Sequence, residues 1–146
     1  MNEYNESMIE ETGIYRGYRY VIRFIVPTAH RCGYVGIPEG HPLYEEKDDD
    51  ILMHIPCHGG VTFTSHELQS QPPRYWWIGF DCIHVPMDSC DIDSLRKYYG
   101  ADEVERLKTQ YSSTYELCKD GHIWSLADCI EECQHMIDYI ITKENN

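Results

Sequence analysis

Cys82 and His84 stand two residues apart at the end of a tryptophan-rich apolar stretch, and His58 precedes a Gly59-Gly60 pair. In an extended chain Cys82 and His84 fall on one face, and Asp81 falls on the other. Such a pair can ligate a metal, form a thiolate–imidazolium pair, or simply end a strand. With a carboxylate from Asp81 or Asp88 as orienter or acid/base, Cys82, His84 and His58 make a candidate hydrolytic centre. If an ion is held there, His58, Cys82 and His84 are the expected ligands, and a transition metal such as zinc suits them. A zinc ribbon or finger is disfavoured. No C-x-x-C pair occurs, and Pro56 between His54 and His58 argues against a helix carrying both.

A second chemistry is anion binding. Gly59 and Gly60 let the backbone turn sharply, and the freed N–H groups can cradle an anion. Arg16, Arg19, Arg23 and Arg31 crowd a short segment. Arg19 and Arg23 share a strand face and can grip a phosphate or carboxylate bidentately. Trp76 or Trp77, with tyrosines, can stack a base. Cys32, Tyr34 and His41 lie in a third, glycine-rich segment with no generic chemistry of its own. The bland alternatives are core thiols, satisfied core histidines and arginines paired with the chain's own carboxylates.

The elements that must position these groups follow from periodicity. Residues 14–26 alternate, with Tyr18, Tyr20, Ile22, Phe24 and Val26 on one face and Arg19, Val21, Arg23 and Ile25 on the other. That predicts a strand ended by Pro27. Residues 32–37 predict a second strand, 38–50 a loop with an acidic run, and 51–57 and 60–65 two further strands broken at Gly59-Gly60. Residues 74–85 predict the most apolar strand. After Pro86 the period becomes helical, with helices at 91–99 and 102–111. A last helix carries a Ser125/Asp128 capping box and a stripe of Leu126, Ile130, Cys133, Ile137, Ile140 and Ile141. The expectation is an α+β fold: an antiparallel sheet from the first 85 or so residues, covered on one face by C-terminal helices.

The chain has 146 residues, 42% of them hydrophobic, which suits one domain with a real core. Residues 1–12 predict a mobile acidic arm. The formal charge of −13 excludes a general nucleic-acid binder. No apolar run approaches the length of a transmembrane helix, and the polar start is not a signal or transit peptide. Seven cysteines, an odd number, suggest free thiols in a reducing compartment.

Three motifs run from Cys32 to Tyr44, from His58 to Phe63 and from Trp76 to His84. A fourth runs from Trp124 to Glu132. Together they resemble an uncharacterised family of small phage and prophage proteins with CGYVxxPxxHP, HGGxTF and WWIGFDCxH motifs. The resemblance covers roughly residues 28–90 and 123–142. Family members continue the third motif with A-G-D, where this chain has Val85-Pro86-Met87-Asp88, and residues 95–120 look like a longer insertion. The resemblance implies a small accessory protein acting in the cytoplasm of an infected bacterial host, and it supplies no reaction.

Three function classes stay open. The first is a counter-defence protein that sequesters a small nucleotide-like signalling ligand, using Arg19, Arg23, Cys32, Tyr34, His41, His58, Gly59, Gly60, Trp76, Trp77, Asp81 and His84. Its pocket is built within one chain or, in a homo-oligomer, between subunits. The second is a metal- or thiol-dependent hydrolase on Cys82, His84, His58 and Asp81. The third is an acidic inhibitor of a host defence protein.

Overall fold

A computed structural model describes residues 7–145. Five strands, β1 (Met8–Tyr15), β2 (Tyr18–Ile25), β3 (His30–Ile37), β4 (Phe63–Ser65) and β5 (Trp76–Asp81), form one antiparallel sheet in the order β1-β2-β3-β5-β4. The helices are α1 (Asp49–Leu52), α2 (Ile92–Tyr99), α3 (Ala101–Gln110), α4 (Ser112–Leu117) and α5 (Leu126–Ile141). This is the expected α+β arrangement.

The alternation in β2 does what its pattern predicts. Tyr18, Tyr20 and Ile22 face α5, together with Ile78, Phe80 and Cys82 of the β5 segment. Cys129, Cys133, Met136, Ile137 and Ile140 are the buried stripe of α5. Farther along the same face of β2, Phe24 and Val26 pack with Leu95, Val104, Leu107 and Tyr115 of α2–α4. Val21, Tyr34 and Trp77 lie on the other face under Leu68, in the loop between β4 and β5. The capping box is present: the Ser125 side chain accepts from the Asp128 N–H, and the Asp128 side chain accepts from the Ser125 N–H.

Four expectations change. The single strand 14–26 is a hairpin turning at Arg16 and Gly17, whose φ values of 50° and 88° suit a tight turn with glycine second. Residues 8–12, expected in a mobile arm, form the first part of β1; residues 1–6 lie outside the described residues. Residues 51–57 are not a strand. Asp48 caps the short α1 by accepting from the Asp50 N–H, and turns follow. Finally, β5 ends at Asp81, well before residue 85, and the chain then turns at His84. Among the described residues no helix is long and apolar enough to cross a membrane.

Candidate functional site

The chain beyond β5 folds back on itself. The Asp88 N–H donates to the His84 carbonyl (2.9 Å), and the His84 N–H donates to Asp88 Oδ2 (2.7 Å). Residues 87–89 then run beside His122, with Ser89 N–H to His122 O at 2.9 Å and His122 N–H to Met87 O at 2.8 Å. That pairing delivers Trp124, whose indole N–H donates to Asp88 Oδ1 (3.2 Å). His58 enters from the Cys57–Gly60 turn and donates through Nε2 to Asp88 Oδ2 (2.7 Å). Its ring lies 4.3 Å from the Trp124 ring and 5.2 Å from the His84 ring.

His58, His84 and Asp88 thus offer donor atoms that all lie within 4.8 Å of one another. Asp88 is 1% exposed, and every hydrogen bond aimed at it comes from a group that fixes this cluster. His84 Nε2 is buried and has no hydrogen-bond partner. Asp81 Oδ1 lies 3.3 Å from it without hydrogen-bond alignment. A buried unpaired ring nitrogen is costly unless something fills its valence. Gly59 makes room for that nitrogen. Its φ is +70°, and a methyl on it would overlap the His84 ring. Gly59→Ala should therefore push His84 out of the cluster and lower thermal stability by about 1–3 kcal/mol. Thermal unfolding and the His84 side-chain NMR signals would check this, and an unshifted His84 would refute the packing.

The Cys82–His84 pair expected from strand alternation does not form. Asp81 is the last strand residue, so His84 swings toward the Asp81 side, while Cys82 stays in the core with its sulfur 3.7 Å from Cys129 Sγ. Asp88, and not Cys82, completes the cluster of donor atoms with His58 and His84. The Cys82 thiol is pushed up by its contact with Cys129 and by burial, and burial pushes the Cys32 and Cys57 thiols up to about 12. These groups are thiols at neutral pH, so the arrangement offers no thiolate nucleophile among them.

Cys32 does reach the neighbourhood. It pairs with Asp81 across β3 and β5, and its sulfur lies 3.6 Å from His30 Nε2. His30, which the sequence did not single out, is pushed down to about 4, chiefly by burial, and is neutral at pH 7. Trp124 was visible only as the aromatic that opens the last motif.

The other expected ligand-binding residues lie elsewhere. Trp76 and Trp77 are core residues, 4% and 0% exposed, so neither presents a face for stacking. His41 is a satisfied core histidine: Nδ1 accepts from the Leu43 N–H and Nε2 donates to the Ile140 carbonyl at the end of α5. Arg19, Arg23 and Tyr34 lie on the sheet face away from α5, where Arg23 donates to the Tyr34 hydroxyl (3.2 Å). Gly60, with φ +83°, completes the His58 turn. The sequence motifs therefore do not converge on one pocket; His58, Gly59, Asp81 and His84 come together, with Cys32 beside them. No family model, curated protein or solved structure matches the chain.

Proposed function

We propose that this protein is a metal-dependent hydrolase whose ion, of the zinc type, is held by His58, His84 and Asp88. The supporting observation is the convergence of three donor groups, His58 from the Cys57–Gly60 turn and His84 and Asp88 from the segment after β5, with His84 Nε2 buried and without a hydrogen-bond partner. Two imidazoles and a carboxylate suit a borderline divalent ion and leave a coordination position open for water. An ion bound there supplies Lewis-acid activation of that water. On this reading, the ion replaces the proton that His58 shares with Asp88. The Trp124 N–H then fixes the carboxylate from behind, as an outer-shell donor. Asp81, half-buried beside His84, is the proton acceptor we assign.

The test is loading. The purified chain is equilibrated with zinc or iron(II), desalted, and analysed for metal. About one zinc per chain, lost in His84→Ala, is the expected result, followed by turnover of activated ester or phosphoester substrates that chelation stops. Metal retention that survives His84→Ala would sink the centre. A clear preference for iron(II) over zinc would replace hydrolysis with oxygen chemistry.

A further inference from the structure

The chain has seven arginines. Arg16, Arg31, Arg96 and Arg106 each pair with a carboxylate. Arg19, Arg23 and Arg74 have no carboxylate partner among the described residues, in a chain with 25 Asp and Glu. These three share the region of the sheet away from α5. Arg19 and Arg23 rise from β2. Arg23 Nε donates to Gln69 Oε1 (3.0 Å), and Arg19 Nη1 reaches Gln71 Oε1 only at 3.5 Å. Their hydrogen-bond partners in the 66–75 loop are neutral amides, although that loop also carries Glu67.

Arg19 Nε is buried and has no hydrogen-bond partner. The Nε–Nη edge is the fork that takes two oxygens of a carboxylate or phosphate in parallel. The Tyr75 ring lies against Gly36, beside Arg19 in the sheet, and the Arg74 guanidinium lies 5.0 Å from that ring and donates to the Tyr75 hydroxyl (3.3 Å). The Tyr75 phenol is held below its ordinary value, first by the Arg74 hydrogen bond and also by Arg19. An open cavity of about 420 Å³, lined by His66, Glu67, Leu68, Gln69, Gln71 and Pro73, adjoins this surface.

The geometry points to an oxyanion site on this face, in which Arg19 and Arg74 hold a phosphate group on either side of the Tyr75 hydroxyl and Arg23 adds charge from farther along the same face of β2, beyond Val21. The ligand class is a phosphate or phosphomonoester. The site is separate from the histidine cluster and does not depend on an ion there. The net charge of −13, and Glu67 on the cavity wall, slow the approach of an anion but do not cancel a local fork that pairs with no carboxylate.

The experiment is an NMR titration of the full chain in the presence of a chelator, following the Arg19 and Arg74 Nε–H signals. The probes are inorganic phosphate and a nucleoside 5′-monophosphate. Saturable shifts of both signals are expected, with binding weakened about tenfold in Arg74→Gln and in Arg19→Gln. The exposed Lys108→Gln removes one positive charge from α3 and should leave binding unchanged. Equal affinity for the two probes identifies the phosphate group as the recognised unit; tighter binding of the nucleotide identifies an ester as the ligand. No shift up to about 20 mM, or equal weakening by Lys108→Gln, would overturn the site. Arg74 is exposed, so its variant keeps the test valid if Arg19→Gln fails to fold.

Discussion

If His58, His84 and Asp88 hold zinc as proposed, Asp88→Asn is expected to lower zinc affinity by roughly a hundredfold or more and to abolish the rise in Tm expected of the native chain on zinc binding. The reason is the number of groups that converge on one carboxylate. Oδ2 accepts from His58 Nε2 and from the His84 N–H, and Oδ1 accepts from the Trp124 indole. An asparagine has one acceptor oxygen. Turned toward His58 and His84, it points its NH2 at the Trp124 N–H; turned the other way, it faces two donors with a donor. Either rotamer leaves a donor without its acceptor, at a cost of about 1–3 kcal/mol. The variant should therefore unfold at lower temperature without metal and gain nothing from zinc. Calorimetry at several zinc concentrations separates the two effects. A variant that is less stable yet still responds to zinc like the native chain would mean that Asp88 is a scaffold and not a ligand. Trp124→Phe makes the complementary case: the ring over His58 stays, one donor to Asp88 is lost, and zinc affinity should fall by only about tenfold.

What the sequence made legible, and what it hid, follows from the range of the interactions. Local rules worked where one element decides its own outcome. The Ser125/Asp128 cap and the apolar stripe marked α5 closely, and the alternation of β2 assigned both sheet faces correctly. The hairpin at Arg16-Gly17 was missed because the apolar period runs on through it, and only Gly17 betrays the turn. Residues 51–57 read as a strand because Ile51, Leu52 and Ile55 are apolar, although Asp48 with Asp49 and Asp50 is a helix start. The site itself was half legible. His58, Gly59, Asp81 and His84 were marked by residue type and spacing. Asp88 was named only as an acid/base partner, because its place as the centre depends on where β5 stops. Extending strand alternation through Ile83 put His84 beside Cys82; the turn puts it beside Asp81. His30 carried no local signal, since its relation to the site comes from the neighbour of its strand.

Arg31→Met is expected to destabilise the fold by about 3–5 kcal/mol, a fall in Tm of roughly 8–16 °C for a chain of this size. Arg31 is 4% exposed, and its guanidinium is fully engaged. Nε and Nη2 form a bidentate pair with Glu10 of β1 (2.7 and 2.9 Å), and Nη1 reaches Asp91 (2.8 Å) and the Trp124 carbonyl (3.0 Å). Methionine fills the volume but leaves two largely buried carboxylates, Glu10 and Asp91, without a cation. Most of the loss comes from those stranded charges and not from the missing contacts. Adding Glu10→Gln and Asp91→Asn to Arg31→Met should therefore recover a large part of it. Failure to recover would show that packing, and not charge, dominates. The same network sets an acid limit. Burial alone would raise the Asp91 pKa, but hydrogen bonds from Ser94 and Arg31 outweigh it and hold the group below its ordinary value. A carboxyl lowered in the folded state contributes stability that is present above its unfolded pKa, near about 4, and is lost as pH falls through the folded value. Urea unfolding from pH 7 downward should show a loss below about pH 4 that is smaller when Asp91 is asparagine. Because Arg31 also holds the Trp124 carbonyl, the loss reaches the histidine cluster. In Arg31→Met, Trp124 should loosen from His58, and its fluorescence should change in the folded protein before unfolding begins. The buried arginine is therefore where the stability of the sheet and the geometry of the site are coupled.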